Sequence, residues 1–204
     1  MTNLKLTYFD FAGSRGEEIR LAFTIAGLEF DDNRLSFEAF SKIKSELPFG
    51  SMPVLEVKNH GVISQTNAIL RLIGRQHGLH PEDLFEAVRH DELMEAVEEL
   101  RHRISATMRI EDAAVKKAAR QKLATDYIPH WGAGVEQLIG TGPFLAGEQP
   151  NVADIKLYMA HKWISSGGID DIPTDTFDPF TKFKTVADGI RNHPAVLKWY
   201  SPET

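Results

Sequence analysis

The stretch Pro48-Phe49-Gly50-Ser51-Met52-Pro53-Val54-Leu55-Glu56 carries a loop through a Met-Pro pair into an apolar strand. Proline has no N–H to give to a sheet ladder, which places Pro53 at the first residue of that strand or on an edge. A trans Met52-Pro53 bond makes Pro53 an ordinary strand opener. A cis bond turns the chain sharply and leaves the backbone N–H and C=O of Met52 free to pair with an extended ligand, which makes a docking edge. Neither isomer is excluded by the stretch itself, so its surroundings decide.

Upstream, Leu4-Lys5-Leu6-Thr7-Tyr8-Phe9 alternates as a half-buried strand does, with Leu4, Leu6 and Tyr8 on one face. Residues 10–16 hold two glycines and a serine and read as a loop. Ile19, Ala22, Phe23 and Ala26 fall at helical spacing, Gly27 stops that helix, and 29–35 reads as a second strand, giving a right-handed β-α-β unit. A short helix over 37–46 leads into the quoted stretch. Downstream, strands at 53–57 and 61–63 flank a turn at Lys58-Asn59-His60 as a hairpin. Ser64 or Gln65 opens a helix with Ala68, Ile69, Leu72 and Ile73 on one side, ending near His77-Gly78.

Residues 1–78 therefore predict β-α-β-α-β-β-α, a mixed four-stranded sheet with helices, and Gly78 to Asp83 has the punctuation of a linker. The remainder, 84–204, reads as all-helical. Leu93, Val97, Leu100, Ile104 and Met108 mark one long helix, and Leu123, Tyr127, Trp131, Val135 and Leu138 a second of similar length, which means a bundle. Asn151-Val152-Ala153-Asp154 has the form of a capping box ahead of an apolar helix stopped by Gly167-Gly168, so Asp154 is a folding residue. Helices over 180–191 and 194–200 finish the chain.

With 204 residues, 42% hydrophobic and 25% charged, the composition is that of a soluble globule with room for one large or two small domains. A net charge of -6 without a basic block argues against nucleic acid or an anionic membrane as partner. No apolar run of about 18 residues is present and the N-terminus lacks the form of a signal peptide, so a cytoplasmic protein is expected. The absence of cysteine removes disulfides, zinc-thiolate sites and a cysteine nucleophile together, so any thiol must arrive with a ligand. His77 and His80 lie close in sequence but lack a third ligand, and no metal site is expected.

This β-α-β-α-β-β-α order, with its Met-Pro strand entry, a helix opening Ser64-Gln65-Thr66, a short linker and an all-helical second domain, resembles the cytosolic glutathione transferases over the whole chain. It looks most like the sigma class through Leu6-Thr7-Tyr8-Phe9, Pro48-Phe49-Gly50 and Gln65-Thr66. The resemblance implies a thioredoxin-like N-terminal domain, a cis Pro53, glutathione as cosubstrate without a metal, small hydrophobic electrophiles as substrates, a detoxifying role and a homodimer.

It also implies roles for residues. The Tyr8 phenol would donate to the sulfur of glutathione and favour thiolate over thiol, although spacing alone also lets Tyr8 continue the Leu4-Leu6 core face. Gln65 and Thr66 open a helix whose N–H groups and dipole suit the γ-glutamyl carboxylate, and simple capping is the plainer role. Met52 would pair its backbone with the cysteinyl unit or merely fill core. Lys44 would meet the glycyl carboxylate with Phe40 beside it, or be a solvated lysine near a core aromatic. Arg15 would polarise the sulfur or cap its helix.

Phe40 stands where the family usually has tryptophan, Ser51 where glutamine or lysine is common, and Thr66 where serine is usual. The loop from Phe9 to Gly16 is one residue longer, which bears on Arg15. Glu98 or Glu99 would reach the glutathione amine of a partner subunit. Phe9, Phe11, Ile104, Ala106 and Met108 would line the hydrophobic cosubstrate site or be plain core. Two other functions fit the same resemblance: a glutathione-dependent isomerase like prostaglandin D synthase, and a non-catalytic binding protein or lens crystallin. Retention of Tyr8 favours an enzyme.

Overall fold

Strand β1 (Leu4–Phe9) buries Leu6, Thr7 and Tyr8 in succession, so both of its faces are covered rather than one. The reason is its position. In this computed structural model, which describes residues 2–201, the sheet order is β2-β1-β3-β4 and β1 lies inside it. Helix α1 (Ser14–Ile25) carries the chain from β1 to the parallel β2 (Asp31–Leu35). On the second face Asn33 donates to the Thr7 hydroxyl at 3.0 Å, which satisfies a polar group that burial would otherwise penalise.

Helix α2 (Phe37–Ile43) starts where the Ser36 side chain accepts from the Ala39 N–H, and tightens into a 3-10 turn over Lys44–Glu46, so the expected 37–46 helix is an α-helix followed by a narrower turn. Strand β3 (Val54–Val57) runs antiparallel to β1, and β4 (Gly61–Ser64) folds back on it around Asn59, whose φ of 68° fits a tight turn. Helix α3 (Thr66–His77) ends at Gly78 in the left-handed conformation that favours glycine. Leu6, Ile19, Phe23, Leu55, Ile69 and Leu70 form the core of this first unit. Each such side chain contributes roughly 1.5–3 kcal/mol on leaving water.

The first unit extends past the expected boundary at 78, since Leu79 and His80 are buried with it and the Leu79 N–H returns to the Gly74 carbonyl. It also takes in helix α9 (Pro194–Tyr200), which the sequence reading grouped with the helical domain. The Trp199 indole donates to Glu17 on α1 at 2.8 Å and its ring lies 6.3 Å from that of Phe30.

The second unit, Pro81–His193, is helical among its described residues. Asp83 caps α4 (Leu84–Met108) by accepting from two backbone N–H groups. The second long helix predicted around Trp131 is one run in three parts: α5 (Ala113–Lys122), a π turn over Leu123–Tyr127 and α6 (Ile128–Leu138). Pro129 has no N–H for the carbonyl of Thr125, and the run widens just before it. Helix α7 (Val152–Ser165) is buried on nearly every side and carries the complete capping box of Asn151 and Asp154, and α8 (Thr181–Arg191) packs Phe183, Val186 and Ile190 into the same core.

Candidate active site

Three chain segments leave the sheet at one end. The register places Thr7 opposite Val54 and Val54 opposite Ser64, so the next residues outward, Tyr8 on β1, the Met52-Pro53 pair ahead of β3 and Gln65 after β4, share that end. Tyr8 is buried, with Phe9 and Phe11 ring centroids at 5.4 and 5.8 Å. Its hydroxyl makes no hydrogen bond to a described residue, so the phenolic proton is available to an incoming acceptor. The ring lies against the first turn of α1 because Gly16 has no side chain: a Cβ there would sit 2.0 Å from Tyr8 Cδ1.

The Met52-Pro53 peptide is cis. The β3 ladder to β1 begins only at Val54, and neither the N–H nor the C=O of Met52 pairs with a described residue. This is the short unpaired backbone edge an extended peptide can use. Just before it, Phe49 and Gly50 both take a φ of 56°, and the stem of Lys44 lies along Gly50. The Lys44 ammonium is exposed and has no ion-pair partner among the described residues. Phe40 is half-buried and meets the Phe9 ring edge-on at 5.2 Å. Ser51 is half-buried, and its hydroxyl bonds to no described residue.

Gln65 is exposed and sits at the N-cap of α3 with a φ of 71°, a left-handed conformation that costs a non-glycine residue of order 1–3 kcal/mol. Its side chain does not cap the helix, which leaves the first-turn N–H groups facing the same end of the sheet. Thr66 differs: its hydroxyl is turned inward to the Arg15 carbonyl at 3.3 Å and to Glu18 at 3.4 Å, so only its backbone points to a ligand. That bond also ties the starts of α1 and α3 together, with Arg15 half-buried one residue before Gly16.

On α4 the two neighbouring glutamates have different surroundings. Glu98 accepts from the wholly buried Lys156 at 2.5 Å and from Arg101 at 3.0 Å, and is engaged inside its own unit. Glu99 is exposed and pairs with Arg103 at 2.6 Å, whose guanidinium lies 4.2 Å from the Tyr127 ring centre. Ile104, expected at the cosubstrate site, is wholly buried core and presents no surface to a ligand, whereas Ala106 and Met108 are exposed. Phe11 is also exposed, and the half-buried Phe9 meets the tilted ring of Phe37 at 4.4 Å. His77 is exposed and His80 buried, and the described residues contain no group of three or more His, Asp or Glu able to hold a metal ion.

Gly16, Glu17 and Arg20 escaped the sequence reading. Glu17 and Arg20 look like surface charges of an amphipathic helix, yet both are wholly buried, and no spacing signal marks them.

Fold and site together define a protein that can hold a short peptide in extended form beside a phenol. The family model for the glutathione S-transferase N-terminal domain matches residues 4–75, and that for the C-terminal domain matches 98–203. A probable glutathione S-transferase of Caenorhabditis elegans is 30% identical over 210 residues, covering 98% of this chain and 97% of the relative. The hematopoietic prostaglandin D synthase of Gallus gallus is 28% identical over 200 residues, covering 98% and 96%. The solved prostaglandin synthase D of Nilaparvata lugens superposes with a TM-score of 0.86 at 29% identity, over 99% of this chain and 100% of its own. The chain belongs to the glutathione S-transferase family, and its activity is that of a glutathione transferase.

Proposed function

We propose that Tyr8 holds glutathione as its thiolate for attack on a small hydrophobic electrophile. The observation that carries this reading is the unengaged Tyr8 hydroxyl at the same end of the sheet as the unpaired Met52 backbone and the uncapped start of α3. A free thiol has a pKa of roughly 8.5, and each unit of depression corresponds to about 1.4 kcal/mol, the scale of one hydrogen bond to a charged group.

The cysteinyl unit pairs with Met52, and the γ-glutamyl carboxylate takes the first-turn N–H groups at Gln65 and Thr66, where the helix dipole favours an anion. Lys44 receives the glycyl carboxylate. Phe40 offers no ring N–H and Ser51 only a short hydroxyl, so glutathione is held less tightly than by an indole and a longer amide or ammonium. Arg15 adds positive charge near the sulfur. Phe9 and Phe11 beside Tyr8 supply apolar surface for the electrophile.

The sigma-class assignment rests on Leu6-Thr7-Tyr8-Phe9 and Pro48-Phe49-Gly50. A detoxifying role in the cytoplasm accords with the family and with the lack, among the described residues, of a helix long and apolar enough to cross a membrane. In a homodimer, Glu99 rather than Glu98 is the residue free to swing to a partner's glutathione amine, because its bond to Arg103 is exposed. The second reading, glutathione-dependent isomerisation, draws on the likeness to prostaglandin D synthases over nearly the whole chain.

The test is Tyr8→Phe assayed with an aryl halide. Turnover is expected to fall by about 10- to 100-fold while calorimetry finds glutathione affinity nearly unchanged. Equal turnover removes Tyr8 from the chemistry. Formation of prostaglandin D by the wild type at a rate above its aryl-halide conjugation would favour the second reading.

A further inference from the structure

Behind Tyr8 lies a buried charge cluster that the chemistry above does not use. Arg20, on α1, is wholly buried, and its Nη2 and Nη1 donate to the carbonyls of Phe9 and Phe11, both at 3.1 Å. These two carbonyls open the loop that follows Tyr8. The same guanidinium lies 5.9 Å from the Tyr8 ring centre. Its Nε is shared by both carboxylate oxygens of Asp32 at 3.0 Å, so one side of the fork is fixed to β2.

The other side is held by Glu17, whose Oε2 accepts from Arg20 Nη1 at 3.2 Å. Glu17 is itself wholly buried, and its second oxygen, Oε1, accepts from the Trp199 indole at 2.8 Å. A carboxylate out of water must have both oxygens satisfied, and here one is satisfied by the guanidinium and the other by the last helix of the chain. A continuous path therefore runs from α9 through Glu17 and Arg20 to the backbone that sets the Tyr8 position.

We infer that Trp199, Glu17 and Arg20 are positioning residues for Tyr8, and that α9 sets how the phenol meets the glutathione sulfur. This rests on Tyr8 acting on that sulfur. Without the indole donor, Glu17 turns to Arg20 with both oxygens, the guanidinium shifts towards it, and the carbonyls of Phe9 and Phe11 lose their hold. The loop then lets the phenol drift, and the thiolate is stabilised less although the tripeptide still binds at Met52 and α3.

The test uses the full-length protein with glutathione and an aryl halide. Trp199→Phe keeps a ring against Phe30 and removes only the N–H; Phe30→Leu loosens that contact and keeps the N–H. For Trp199→Phe, kcat is expected to fall by at least about tenfold with the KM for glutathione within about twofold, the loss expected of one donor to a charged group. The pH at which bound glutathione ionises, read from the thiolate's ultraviolet absorbance, should rise. Arg20→Lys, which keeps the charge but not the fork, should move that pH in the same direction. Phe30→Leu should lower the melting temperature and leave the ionisation where it is.

A Trp199→Phe protein with wild-type ionisation and kcat overturns the inference, as does a Phe30→Leu protein that shifts the ionisation as far. Tyr8→Phe is carried alongside. If it is impaired while Trp199→Phe is not, the relay alone has failed; if Tyr8→Phe turns over normally, the role of Tyr8 has failed and the relay falls with it.

Discussion

At the scale of single residues the site depends on what is missing as much as on what is present. Gly16 lies so close beneath Tyr8 that a Cβ would fall 2.0 Å from the ring, well inside van der Waals contact. Alanine is the better helix former by up to about 1 kcal/mol, so propensity alone favours Gly16→Ala. The clash decides instead, since a buried aromatic ring in contact cannot yield that far without leaving its rotamer. We expect Gly16→Ala to lower kcat by at least about tenfold through displacement of the phenol, with far-ultraviolet circular dichroism retained. Wild-type kcat in this variant would mean that the ring position does not matter. Residues at this scale were only partly legible in the sequence. Tyr8, Met52 and Gln65 sit at element ends, which periodicity locates; Glu98 and Glu99 are adjacent on one helix, and only the buried Lys156 on α7 determines which of them turns inward.

Among elements, α7 shows local and tertiary forces meeting at one side chain. Asp154 Oδ2 accepts from the Asn151 N–H at 2.8 Å and closes the capping box, while Oδ1 accepts from the Leu145 N–H at 2.7 Å and pins the preceding loop. The box was readable because it is a matter of four consecutive residues; the bond to Leu145 and the burial were not. Burial pushes the Asp154 carboxyl up to about 7, against the pull of its two backbone donors. The native state then holds a proton between about pH 4 and 7 that the unfolded chain has released, so this stabilising contribution is full at low pH and lost as pH rises to 7. His161 acts with the opposite sign, because burial, reinforced by Arg191 and Lys184, lowers its pKa, and its contribution is lost as pH falls. Comparing Asp154→Ala with wild type isolates the first effect. We expect the variant to lose about 1–2 kcal/mol from the cap and to be active while folded. Its stability deficit should shrink between pH 4 and 7, as followed by denaturant titration. A deficit that grows over that range would contradict the buried, proton-holding Asp154. The π turn before Pro129 lies at the limit of such reading: a proline inside a helical pattern announces a disturbance, but not whether the run breaks, bends or widens.

For the molecule as a whole, sequence periodicity reports that a face is covered, not by what. The order of the sheet unit and the helical character of the rest were legible for that reason, and the return of α9 to α1 was not, since Val196 and Trp199 mark an apolar face that fits any partner. The same logic applies to faces that the chain leaves open. Leu84, Phe85 and Val88 fall on the first turns of α4 and are 69%, 80% and 53% exposed, a cluster of apolar side chains that a lone soluble chain gains nothing by displaying. If the protein is the homodimer that its family suggests, this stripe is a natural part of the contact, and in a two-fold interface one substitution acts twice. Burying a phenylalanine contributes roughly 1.5–3 kcal/mol, so two copies lost weaken association by about a hundredfold or more, and a carboxylate placed there adds a desolvation cost. Phe85→Glu is therefore expected to sediment as a monomer at concentrations where wild type is dimeric, with unchanged helical content because Phe85 contributes little to its own core. A Phe85→Glu dimer as tight as wild type would place the contact elsewhere, and a monomeric wild type would leave Glu99 without a partner subunit to reach.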